Sequence, residues 1–284
     1  MTGHGDTGHG DTGHGDTGHG DTGHGDIGHG TGVLLLHALS MDSSMWAGQR
    51  IALAERGHLV LAPDLRGHGR RPLGGAAPSL DVLADDLAAL LDEHGVGDAV
   101  VAGCSLGGYV AMALLRRHPG RVRALALLSA RVRADTPEER DQRLRFAAAV
   151  LDPRTRDAVV AGATPRLVGA TTRRARPAVL AAVRRTARRT APASVAWAQR
   201  AIAARPDSTG ALTSADVPAL VLVGAEDELV TTADAMEAAA ALSQDRPLVV
   251  PRAGHLLPLE APDVVSRALA TLASSAAARA ESRP

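Results

Sequence analysis

The sequence contains no lysine: all 31 basic residues are arginine, and they balance 31 acidic ones. That balance leaves no whole-molecule field to draw the chain to nucleic acid or to an anionic membrane, so neither is an expected partner. The missing lysine, with the heavy use of alanine and glycine, points to G/C-rich codons at the source. It also excludes a phosphate-binding loop built around a lysine. Cysteine is nearly absent as well. Cys104 stands alone, so no internal disulfide can form, and a reducing compartment, the cytoplasm, is expected. Aromatics are few, with two Trp, one Tyr and one Phe. No apolar run approaches the roughly 20 residues that span a bilayer, and no basic stretch followed by an apolar one marks a secretory leader.

What is there begins with repetition. Thr2 to Asp26 holds five copies of TGHGD, then a broken sixth, IGHG, which places six of the twelve histidines within the first 29 residues. Each unit has two glycines and no large apolar side chain. Such a segment buries too little surface to offset the entropy of ordering it, so residues 1–30 are expected to be disordered. A solenoid or a calcium-binding repeat needs an apolar residue in every unit, and TGHGD has none. The histidines can take up Zn²⁺ adventitiously, but their spacing on a glycine-rich chain preorganises no tetrahedral set. No metal and no cofactor are expected.

From Gly32 the texture changes. "GVLLLHA", "HLVLAPD", "AVVAGCS" and "ALALLSA" read as buried strands. Between them, "SSMWAGQRIALAERG", "SLDVLADDLAALLDEHG" and "LGGYVAMALLRRHPG" read as helices. Apolar strands alternating with helices give an α/β fold, a mostly parallel, doubly wound sheet covered on both faces. The rhythm stops over residues 131–212, an arginine-rich stretch with helical pattern only. It resumes with "PALVLVGAEDELV", a helix over 231–243, the strand "PLVVP" and a helix from about Pro262. The expected organisation is a tail (1–30), a first half of the core (31–130), a helical cap (131–212), a second half (213–278) and a short disordered end (279–284). A cap inserted there covers the C-terminal edge of the sheet, where ligands bind in open α/β folds.

The most specific motif is Gly103-Cys104-Ser105-Leu106-Gly107, a G-x-S-x-G between an apolar strand and a helix. A serine lifted into so sharp a turn takes strained dihedrals, and the flanking glycines let neighbouring backbone pass. The bland alternative is a serine that merely caps the helix. A serine nucleophile needs a base, and the base an orienting acid. His255, in the glycine-preceded loop "RAGHLLPLEAP" after the last strand, is the candidate base. Glu226, Asp227 and Glu228 follow the preceding strand; Asp227 is the candidate acid, against the alternative that these carboxylates only cap the helix near Thr231.

The order Ser105, Asp227, His255, each in a loop after a strand, is that of the α/β-hydrolases. From about Gly32 to Leu272 the chain resembles that family, and within it the small esterases and the members similar to 3-oxoadipate enol-lactonase. The resemblance rests on "LLLHALSMDSSMW", "APDLRGHGRRP", "AGCSLGGYVAM", "LVLVGAEDELV" and "AGHLLPLEAP". It implies an oxyanion hole formed by the backbone N–H groups of Leu39 and Leu106. It also implies structural roles for His37, Asp64 and His68, and packing of Trp46 at the start of a helix. The chain departs from the family at Ala38, where glycine is usual, and at Arg71, where serine is usual. The two antiparallel strands that ordinarily precede "VLLLHA" are missing from the pattern.

The resemblance implies a serine hydrolase cleaving a small carboxylic ester or lactone through an acyl-enzyme, with that small molecule as its expected partner and the oligomeric state left open. Activity is then expected to fall below about pH 6–7, where a histidine base protonates. The alternatives are a non-hydrolytic binding or regulatory member of the fold, or metal binding by the repeat. Ser105 argues against dehalogenase and epoxide hydrolase chemistry, which in this fold uses a carboxylate nucleophile. Cys104, beside the nucleophile, reads as a small buried hydrophobe. In the cap, Trp197 is a candidate pocket residue or an anchor of its helix. Arg173, Arg174, Arg176, Arg184, Arg185, Arg188 and Arg189 read chiefly as a solvated face, with a substrate carboxylate as the other possibility.

Overall fold

A computed structural model describes residues 31–281. Residues 1–30 and 282–284 lie outside the described residues, and with them the expected disorder of the repeat and metal binding by its histidines. In chain order the core begins with β1 (Val33–Leu36), α1 (Ala47–Ala54), β2 (Val60–Leu61), α2 (Leu80–Glu93), β3 (Ala99–Cys104), α3 (Leu106–Arg117) and β4 (Val122–Leu128). Five further helices follow: α4 (Pro137–Leu151), α5 (Arg156–Ala163), α6 (Ala170–Ala175), α7 (Pro177–Arg189) and α8 (Pro192–Ala203). The short α9 (Thr209–Thr213) then leads to β5 (Ala219–Gly224), α10 (Thr232–Ala241), β6 (Leu248–Val250), α11 (Leu257–Glu260) and α12 (Pro262–Glu281).

The six strands form one sheet, ordered β2-β1-β3-β4-β5-β6, in which every pairing is parallel. Strand residues alternate between two cores, as a pleat with both faces covered demands. Leu34, Leu36, Val101, Leu125 and Leu127 pack against α2, α3 and α10. Leu35, Val100, Ala102, Ala126 and Leu128 face the other way, against α1 and α12. Trp46 is fully buried in this second core, at the start of α1.

Three boundaries differ from the sequence reading. The first helix opens as a 3₁₀ turn (Ser43–Trp46), because the Asp42 side chain accepts the Ser44 N–H and sets the entry angle. The helix expected over 231–243 covers Thr232–Ala241, with Thr231 and Asp234 forming a capping box at its start. Residues 279–281, assigned above to a disordered end, continue α12. Alanine in this stretch favours helix, and Arg279 pairs with Asp216. No helix among the described residues is long and apolar enough to cross a membrane.

Candidate active site

β3 delivers the chain to Ser105 and α3 takes it away at once. Ser105 therefore stands in a turn with φ 54° and ψ −113°, a left-handed value that a serine adopts only under constraint. The two flanking glycines are forced by crowding. A Cβ on Gly103 would lie 2.2 Å from the Gly107 carbonyl oxygen, and one on Gly107 only 2.1 Å from that of Leu36. The capping alternative fails, because the Ser105 side chain makes no cap hydrogen bond. The hydroxyl is left to a cavity of about 360 Å³ whose wall also includes His255 and Leu39. No hydrogen bond joins Ser105 to His255 across it.

The three carboxylates after β5 have separate partners. Asp227 lies 3.0 Å and 3.1 Å from His255 Nδ1 through its two oxygens, and Oδ1 also accepts the backbone N–H groups of Leu229 and Val230. Burial alone would push the Asp227 carboxyl up. The His255 charge, its hydrogen bond and the two backbone donors outweigh that and hold it below its ordinary value. An ionised carboxylate only accepts, so His255 Nδ1 donates to it and Nε2 stands on the far side of the ring, without a partner among the described residues. Glu226 instead accepts the Thr171 N–H and hydroxyl at 2.7 Å and 2.5 Å, tying α6 to the core. Glu228 pairs with Arg173 at 2.8 Å. The cap of α10 belongs to Thr231, which leaves Asp227 to the histidine.

His37 shapes the loop after β1. Its Nδ1 donates to the Ala38 carbonyl at 2.9 Å and its Nε2 accepts the Leu65 N–H at 2.8 Å. Asp64 accepts the N–H groups of Ser43 and Arg70, and His68 stacks 5.0 Å from His37. Ala38, in the place of the usual glycine, donates its N–H to Met45 Sδ at 3.3 Å. Arg71, in the place of the usual serine, pairs with Asp86 at 3.2 Å. The Leu39 N–H, and the Leu106 N–H at the start of α3, make no hydrogen bond among the described residues. Cys104 is fully buried behind Ser105, its thiol directed to the His255 carbonyl at 3.5 Å; burial pushes its pKa up and keeps it neutral.

The cap supplies the rest of the cavity wall. Glu139, Gln142, Arg143 and Phe146 lie at helical spacing on α4, and Gln199 and Ile202 on the facing side of α8. Trp197 is not a pocket residue: its indole N–H donates to the Ala76 carbonyl at 2.8 Å and its ring is packed in the core. The seven cap arginines singled out in the sequence do not line this cavity; Arg173 and Arg176 donate to backbone carbonyls of the cap and of Glu260. The arginines that do line it, Arg131, Arg143 and Arg166, were hidden because helical periodicity does not say which polar face turns inward. Among the described residues no three His, Cys, Asp or Glu side chains group so as to hold a metal.

Comparison with known proteins bears on the fold. A thermophilic esterase from Thermogutta terrifontis superposes with a TM-score of 0.82 at 35% identity, over 87% of this chain and 90% of that one. The enol-lactonase from Burkholderia xenovorans gives 0.79 at 28% identity, over 88% and 94%. Lipase LipV of Mycobacterium tuberculosis is 42% identical over 110 residues, 38% of this chain and 41% of the lipase. The match thus spans about two fifths of that curated relative's length. The model of the alpha/beta hydrolase fold family matches residues 32–262, and the chain belongs to that family.

Proposed function

We propose that the protein is a serine hydrolase that cleaves a small carboxylic ester or lactone through an acyl-enzyme. The observation that carries this reading is the buried Asp227–His255 pair opening on the same cavity as a strained, uncapped Ser105. His255 Nε2 takes the Ser105 proton as Oγ attacks the carbonyl carbon, and Asp227 stabilises the imidazolium that results. The oxyanion that forms is held by the N–H groups of Leu39 and Leu106, each contributing about 3 kcal/mol to lowering the barrier. Collapse of this intermediate expels the alkoxide, which receives the proton from His255. Water, deprotonated by the same ring, then attacks the acyl-serine and releases the acid. The similarity to an esterase and an enol-lactonase supports the ester and lactone classes.

The test is hydrolysis of p-nitrophenyl esters from acetyl to octanoyl, with Ser105→Ala measured beside the natural protein. Turnover by the natural protein that falls at least about 10³-fold in the variant is expected. Equal turnover in both would remove Ser105 from the reaction. No turnover on esters or simple lactones would favour a binding role for the fold.

A further inference from the structure

Gln199 is 8% exposed, lines the catalytic cavity, and is held in one orientation. Its Oε1 accepts from Arg143 Nη1 at 3.3 Å. A guanidinium only donates, so the oxygen of the amide must face Arg143 and the NH₂ must face away from it. Arg143 cannot swing aside, because its Nε is bound to Asp135 at 2.5 Å. Asp135 in turn has a side chain 0% exposed and is also bound by Arg205 at 2.8 Å. Arg205 lies 4.4 Å over the Tyr109 ring and donates to the Arg133 carbonyl at 3.0 Å. Two arginines and a buried aspartate thus fix one amide. Its Nε2 has no hydrogen-bond partner among the described residues.

On a residue that lines the cavity, that donor is open to an acceptor on the ligand, which gains a hydrogen bond by reaching it. Resting on the serine-hydrolase reading, we infer that Gln199 selects substrates carrying an acceptor oxygen (ether, oxo or hydroxyl) remote from the scissile carbonyl. Arg143 acts through it, as a positioning residue.

The experiment compares matched esters that differ by one CH₂-to-oxygen exchange. The panel holds p-nitrophenyl hexanoate with its 3-oxa, 4-oxa and 5-oxa analogues, and butyl acetate with 2-methoxyethyl acetate. The readout is the ratio of kcat/KM, oxygen-bearing over alkyl. One neutral hydrogen bond predicts a ratio of about 5 to 10 for at least one pair in the natural protein. The ratio falls to about 1 or below in Gln199→Leu, and also in Gln199→Glu, which keeps the acceptor for Arg143 and removes the donor. In Arg143→Met the amide is free to turn, and the ratio falls part of the way. A ratio near 1 for every pair in the natural protein overturns the inference, as does a preference that survives both Gln199 variants. Alkyl esters hydrolysed without discrimination would leave the hydrolase reading standing while this inference falls; no turnover on any ester removes both.

Discussion

At the scale of single residues, His37 is held as one tautomer by its own neighbours: Nδ1–H faces a carbonyl and bare Nε2 faces the Leu65 N–H. A second proton would set Nε2–H against N–H. Burial, and then the charge of His68, lower the His37 pKa from 6.5 to about 3, against the opposing pull of Asp64 and Asp42. Burial lowers His68 as well. The unfolded chain binds the proton that the native state refuses, so stability from this group is present above pH 6.5 and is lost as pH falls toward about 3. The slope is at most about 1.4 kcal/mol per pH unit. Thermal unfolding of His37→Gln against the natural protein checks this: the variant melts lower at pH 7, and the gap narrows by pH 4. A gap independent of pH would contradict the assignment. Ser105 and His255 were legible in the sequence because a motif and a loop position mark them. Among three adjacent carboxylates the sequence favoured Asp227 only weakly, since side-chain direction, not order, separates it from Glu226 and Glu228. Gln199 and Arg143 were not legible at all, because they meet only where α4 packs on α8.

At the scale of elements, the cap is tied to the core close to the loop that carries His255. Buried Glu260, on α11, accepts the Gly169 N–H at 2.8 Å, just before α6, and the Leu256 N–H at 3.2 Å, next to His255. Leu256 has a second acceptor in Leu167, whereas Gly169 has none among the described residues. Glu260→Ala strands that donor in a buried position, at a cost of about 1–3 kcal/mol. The expected result is a Tm lowered by several degrees, with Glu260→Gln, which keeps an acceptor oxygen, falling between. A Tm for Glu260→Ala unchanged within about a degree would show that Glu260 does not tie cap to core. The strands were legible because a parallel sheet buried on both faces spells continuous apolar runs. The cap was legible only as helices. Its packing depends on buried polar ties such as Glu260–Gly169 and Trp197–Ala76, which join distant residues and leave no periodic signal.

At the scale of the whole molecule, the sheet order brings the ends of β3, β5 and β6 to one edge and the cap closes over it, so that Asp227 pairs with His255 and His255 shares a cavity wall with Ser105. That convergence was legible because chain order and strand-end position together define the family's pattern. What the cavity admits was not, because its wall comes from α4 and α8 rather than from any motif. The repeat contributes six histidines to the sequence but lies outside the residues that the family model matches. Intact-mass analysis after exposure to a fluorophosphonate tests most directly whether Ser105 is an activated nucleophile. One covalent adduct per chain, located on the peptide that carries Ser105 and absent from Ser105→Ala, is the expected result. An unlabelled natural protein, or the same adduct in the variant, would contradict it.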